Sequence, residues 1–157
     1  MKITKKVFID TAPIIYHTEG KAEYLKYTQF LFDAIDDGQI YLVSSRVVLS
    51  ELLVLPLREQ NPTLVEKYME LVSPIIPYES SIFDDAKDIA NLRSVNHFLK
   101  YPDAENIMVA VRERCDFFIT NDKQLQKIVG LGTLKVLMLP DVIDELLDTI
   151  VNYQIKP

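Results

Sequence analysis

Cysteine occurs once in this chain, at Cys115, and histidine only at His17 and His97. A single thiol excludes an internal disulfide framework and fits a reducing compartment. Without a CxxC pair, and with so few imidazoles, a structural zinc site lacks its ligands. Long apolar runs are missing too. None approaches the roughly 20 residues that span a bilayer, and the stretch before Asp10 is too short for a signal-peptide core. These absences predict a cytoplasmic protein with no membrane partner. Gly/Ser linkers, repeats and low-complexity tracts are also absent, so the 157 residues read as a single domain, 1–157. That length can bury a core without disulfide or metal staples. Excess positive charge is lacking: 17 Lys and Arg face 23 Asp and Glu, a formal charge of −6. This argues against a protein that coats nucleic acid, which needs local cations for phosphate. It does not exclude an enzyme that cuts it.

What the chain does have is alternation. Short, nearly continuous apolar runs at Lys6–Ile9, Ile40–Ser44, Pro74–Tyr78, Phe117–Thr120 and Leu134–Leu139 suit parallel strands covered on both faces. Helical patterns lie between them, over 21–37, 45–57, 63–72, from a capping box at Ser81 and Asp84 to about Asn96, over 102–115, and over 142–151. Strand and helix in turn predict an α/β fold with a mainly parallel sheet. In such a sheet the strand C-termini and the helix N-termini share one edge, and ligands bind there.

Four acids are expected on or beside that edge. Asp10 ends the dry run "VFI". An unpaired buried charge is costly, so Asp10 either caps a helix in water or meets something positive. Glu51 lies in "RVVLSELLVLPL", where Val47, Val48 and Leu55 share its helical face. A helix apolar all round is a buried one, and Glu is rarely buried without a partner; the plain alternative is a rim Glu reaching water or Arg46. Asp103 sits beside the stripe of Ala104, Ile107, Met108, Val111 and Cys115, in a first turn where an acid also complements the helix dipole. Asp122 ends "FFITND" and would start a helix over Lys123–Val129. Asp116, at the start of that strand, belongs to the opposite edge. Each acid has a structural role available to it. Together they form a set that repels itself, and a divalent cation would remove the repulsion. All-oxygen ligation selects Mg²⁺ or Mn²⁺, and phosphodiester hydrolysis is the leading chemistry for such ions.

The segments "FIDTAPIIY", "SSRVVLSELL", "YPDAENIMVAV" and "CDFFITNDKQL" resemble, in order, the motifs of PIN-domain ribonucleases, a family that includes the VapC-type toxins of bacterial toxin–antitoxin pairs. The resemblance runs from about residue 6 to residue 139. It implies a three-layer α/β/α sandwich with a five-stranded parallel sheet in the order 3-2-1-4-5, which makes the first and fourth strands neighbours. It also implies a Mg²⁺- or Mn²⁺-dependent cut in RNA by an acidic quartet, here Asp10, Glu51, Asp103 and Asp122. Thr11, Thr120 and Asn121 match the flanking polar positions and would support the ligands. A toxin would have an antitoxin partner.

Competing expectations remain open at this level. A PIN-like module could serve protein pairing alone, or the chain could be a housekeeping RNA-processing nuclease. A receiver-like signalling domain fits poorly, because the last strand ends in Leu139-Pro140 with no late lysine. The large apolar residues at 24–35 and 47–57 suggest a homodimer surface or simply core. His17 reads as a loop residue, and Arg46, Arg58, Lys100, Arg112 and Lys123 are candidates for phosphate contact.

Overall fold

The computed structural model describes residues 4–77 and 83–149, side chains included except at positions 83, 84 and 149. Strands β1 (Lys5–Ile9), β2 (Ile40–Val43), β3 (Phe117–Thr120) and β4 (Lys135–Met138) form one sheet in the order β2-β1-β3-β4. Every pairing is parallel, with Phe8 in register with both Val43 and Phe118. Parallel strands must be dry on both faces. Accordingly Val7, Phe8, Ile9, Phe118 and Ile119 are fully buried, and the Phe8 and Phe118 rings stack across the central pair at 4.8 Å.

The expected five-stranded sheet is corrected to a four-stranded one among the described residues. The segment read as a strand at Pro74–Tyr78 begins instead as a 3-10 turn, Ser73–Ile75, and Tyr78 lies outside the described set. Pro74 has no N–H to give to a ladder. The segment offers β2 one bond, from Ser44 N to the Ile75 carbonyl at 2.9 Å, and β2 becomes the edge. The remaining strands keep the expected order without the missing one.

Helices α1 (Thr11–Glu19), α2 (Leu25–Asp36), α3 (Arg46–Arg58), α4 (Pro62–Val72), α5 (Phe83–Val95), α6 (Tyr101–Arg112) and α7 (Val142–Leu146) complete an α/β/α arrangement. Helix α1 was not distinguished in the sequence, where Ile14–Tyr16 look like a continuing apolar run. Asp10 caps it, Pro13 is tolerated in its first turn, and Gly20 closes it in the left-handed conformation. The helix expected at Lys123–Val129 is a 3-10 turn, Lys123–Lys127, and the last helix passes into another at Leu147–Thr149. The capping box read at Ser81 and Asp84 involves side chains outside the described set.

Helix α3 overturns one premise. It is not buried all round: Val48, Leu52 and Pro56 face the core, while Val54, Leu55 and Leu57 are exposed, Leu57 by 60%. Among the described residues, no helix is long and apolar enough to cross a membrane.

Candidate active site

The centre of the sheet delivers two acids to one edge. Ile9 and Ile119 are in register, so Asp10 and the Thr120–Asp122 segment leave adjacent strands side by side, and Asp10 N donates to the Ile119 carbonyl at 2.9 Å. The Asp10 carboxylate is held at both oxygens. Thr11 N donates to Oδ1 at 2.8 Å and Thr120 Oγ1 donates to Oδ2 at 2.8 Å. Thr120 is fully buried, and the same hydroxyl accepts from Asp122 N at 3.1 Å. One hydroxyl therefore ties the end of β1 to the turn after β3.

Glu51 and Asp103 come from the helices. Glu51 is exposed on α3, the rim position rather than the buried one, and its Oε2 accepts from Thr11 Oγ1 at 2.5 Å. Asp103 is half-buried in the first turn of α6. Asp122 is exposed, and its Oδ1 accepts from Gln124 N at 2.9 Å, the N-cap role that the sequence allowed. Asp103 and Asp122 line one small cavity of about 220 Å³.

The charges act on one another. Burial pushes the Asp10 carboxyl up to about 6, the hydrogen bonds from Thr120 and Thr11 oppose the rise, and the charges of Asp103 and Glu51 add to it. The Asp103 carboxyl is also raised, first by burial and then by Asp122 and Glu51, with Lys100 opposing. Each carboxylate thus feels at least one of the others. They do not converge on a point: among the described residues, no three His, Cys, Asp or Glu side chains stand as joint metal ligands. The donor chemistry nevertheless suits a hard divalent cation. Each Asp10 oxygen accepts one hydrogen bond and keeps a second lone pair.

The other polar candidates divide. Thr11 and Thr120 touch the acids directly, whereas Asn121 Nδ2 donates to the Tyr16 hydroxyl at 3.3 Å. His17 lies in α1, not in a loop; its ring stacks on Phe32 at 4.0 Å and burial lowers its pKa. Arg112 pairs with Asp85 on α5, so it is not a free phosphate contact. Sequence reasoning missed a brace behind the site. Ser45 caps α3 by accepting from Val48 N, and its hydroxyl donates to Asn106 Oδ1 at 2.5 Å. Both residues are buried, which joins the start of α3 to α6. The available signal was the spacing of Asn106, three residues after Asp103 and so on the same side of the helix.

Comparison with known proteins agrees with this architecture. The structure of VapBC2 from Rickettsia felis, bound to a DNA fragment from its promoter, contains a chain that superposes with a TM-score of 0.64 at 17% identity, over 85% of this chain and 98% of that one. At that identity the likeness is one of fold. No curated protein gives a significant match. Residues 7–131, well over half of the sequence, match the PIN domain family, and the chain belongs to that family.

Proposed function

We propose that this protein is a metal-dependent endoribonuclease in which Asp10, Glu51, Asp103 and Asp122 act together on an RNA phosphodiester bond. The PIN fold is associated with nuclease activity, which makes hydrolysis the natural class of chemistry for the chain. The observation that carries the finer reading is Asp10: a half-buried carboxyl at the end of a central strand, pushed up to about 6 and bordered by more negative charge. A cation would relieve that arrangement.

Mg²⁺ or Mn²⁺, once bound, would supply an activated water and offset charge on the phosphoryl group. The chain's own residues do the positioning. Thr11 N and Thr120 Oγ1 fix the Asp10 carboxylate, and Thr11 Oγ1 orients Glu51. The Ser45–Asn106 bond braces α3 against α6, the helices that carry Glu51 and Asp103. Glu51, the more exposed acid, is suited to orient water as well as to bind the ion.

The test is cleavage of a mixed RNA pool in EDTA, Mg²⁺ or Mn²⁺ by the wild type, Asp10→Asn and Asp103→Asn, each shown folded by circular dichroism. Cleavage that requires metal and both carboxylates is expected. Cleavage that persists in both folded variants would remove the site, and a wild type inactive on every RNA and metal would favour a non-catalytic pairing module.

A protein partner is the companion reading, an antitoxin or a second copy of this chain. It is favoured by the exposed Val54, Leu55, Leu57 and Met69 on α3 and α4, beside a cleft of about 630 Å³. Phe30, Leu31, Phe32 and Ala34 of α2 do not contribute, because they are core; of that helix, Leu25 is exposed. A short neighbouring reading frame whose product silences cleavage would mark a toxin; its absence would favour a housekeeping nuclease. Sedimentation at micromolar protein showing only monomer would remove the homodimer.

A further inference from the structure

The cavity that Asp103 and Asp122 share is not lined by acids alone. Two further segments wall it, Phe98, Leu99 and Lys100 in one, and Gln124 and Leu125 in the other. The first wall is the loop between α5 and α6; the second is the turn after β3. Neither wall is loose. Asn96, buried at the head of the loop, donates from Nδ2 to the Val129 carbonyl at 3.0 Å and accepts from Val129 N at 2.9 Å. This two-point clamp fastens one wall to the chain that follows the other. Within the loop, Leu99 N donates to the Asn96 carbonyl at 2.9 Å, the Leu99 carbonyl accepts from Arg93 Nε at 3.2 Å, and the Leu99 side chain is buried.

The residues that flank this anchored leucine behave differently. Phe98 leaves 41% of its surface in water, although the loop is anchored by these bonds and its neighbour Leu99 is buried. Lys100 is exposed, and it is the positive charge that opposes the rise of the Asp103 carboxyl. Gln124 is exposed opposite them, its backbone N–H already spent on Asp122 and its amide a donor and an acceptor at once. An aromatic face, a cation and an amide, held in fixed relation beside a set of carboxylates, are the parts that grip one nucleotide of a single strand. Bases stack on aromatic faces whatever their sequence, cations meet phosphate, and amides read base edges.

We propose that this cavity is a nucleotide subsite for single-stranded RNA, with a base against Phe98, a flanking phosphate met by Lys100 and the base edge met by Gln124. It rests on the nuclease reading for its substrate class, and it assigns that reading a place where the strand is held next to the cut. Phe98 and Lys100 set affinity; Gln124 sets base preference.

The test is equilibrium binding of a short fluorescein-labelled single-stranded RNA of mixed sequence, with Ca²⁺ in place of Mg²⁺. It uses the full chain and the variants Phe98→Ala, Phe98→Tyr, Lys100→Ala and Gln124→Ala, with thermal midpoints compared first. Phe98→Ala is expected to weaken binding about tenfold, the scale of one lost base stack, and Lys100→Ala to weaken it severalfold at low salt through a lost phosphate contact. Phe98→Tyr keeps the affinity, which a merely structural role for a solvent-facing ring would not require. In a parallel Mg²⁺ cleavage assay, Gln124→Ala shifts the base found beside the cut. Affinities within about twofold of wild type in both Phe98→Ala and Lys100→Ala, or no RNA binding by the wild type, would overturn the subsite. The two readings fail separately. Metal-dependent cleavage with unchanged affinity in Phe98→Ala keeps the nuclease and removes the subsite. Phe98-dependent binding by a wild type that never cleaves does the reverse.

Discussion

The two ends of the sheet carry acids in opposite company. At the end where β3 begins, Asp116 and Glu113 are met by lysines: Lys6 Nζ lies 3.1 Å from Glu113 Oε2, Lys5 Nζ lies 3.8 Å from Asp116, and Lys6 N donates to Asp116 Oδ2 at 2.9 Å. At the end where β1 and β3 finish, Asp10, Glu51 and Asp122 accept from hydroxyls and backbone amides. Among the described residues, none of these or Asp103 is in an ion pair. Both ends satisfy hydrogen bonding. Only the first pairs its acids with lysines; at the second, Lys100 acts on Asp103 without forming an ion pair. A hydroxyl can orient a carboxylate without cancelling it, so the second end is built to keep its negative charge fixed in direction and available.

The sharpest way to break the contrast is activity. Under the nuclease reading, Asp10→Asn and Asp103→Asn each lower metal-dependent RNA cleavage by roughly a hundredfold or more, since a metal site that loses a carboxylate loses charge and geometry together. Asp116→Asn, at the opposite end, changes the rate by less than about twofold. Equal losses at both ends, measured as initial rates on folded protein, would mean that the distinction carries no functional weight. Next in size is Thr120→Val. It strips a fully buried hydroxyl of both bonds, from itself to Asp10 and from Asp122 N. Urea unfolding is expected to show a loss of about 1–3 kcal/mol. A loss under about half a kcal/mol would say that the hydroxyl does not hold the two segments together.

Much of this layout was legible in the sequence because it follows from local chemistry. Dry runs that stop on Asp10 and Asp122 had to reach an edge, and four short strands were readable from their composition. What was not legible depends on long-range partners. Pro74–Ile76 is apolar enough for a strand, but the proline and the 3-10 turn leave it one sheet bond. Helix α1 hid because Pro13 sits within it and the apolar run around it has no helical spacing. Glu51 is surrounded by Val and Leu in sequence yet exposed in space, on a helix whose Val54, Leu55 and Leu57 also face outward. The Ser45–Asn106 brace joins residues far apart in the chain, and neither one names the other.

A smaller effect separates orientation from neutralisation at Asp10 itself. Its folded carboxyl is raised from 3.8 to about 6, so the folded state binds that proton more tightly than the unfolded chain does. The associated stability is fully present below about 3.8 and is lost as pH rises through about 6. In EDTA, then, the wild type should lose stability between pH 4 and 6.5 from this group. Asp10→Asn, neutral throughout, should flatten that slope and be more stable by about 1–2 kcal/mol at pH 7.5. Mg²⁺ should raise the thermal midpoint of the wild type at pH 7.5 and leave the variant's nearly unmoved, because a ligand stabilises only the state that binds it. A variant less stable than wild type at pH 7.5 in EDTA would show that the Thr120 and Thr11 bonds outweigh the buried charge.

The smallest effect belongs to the neutralised end. Lys6→Met removes the Glu113 pair and the ammonium that sits 5.3 Å above the Tyr41 ring, but it preserves the side-chain stem and both backbone bonds that Lys6 shares with Asp116. The pair is partly exposed, with about a quarter of each side chain in water, and pairs of that kind contribute little. The expected loss is about half a kcal/mol at low salt, smaller still at high salt, where the attraction is screened. Urea titrations at two ionic strengths measure it. A loss above about 2 kcal/mol that does not respond to salt would mean that acids at this end depend on their countercharge as strongly as a buried carboxylate would. The acids at the other end, which form no ion pair among the described residues, would then be the more destabilising set.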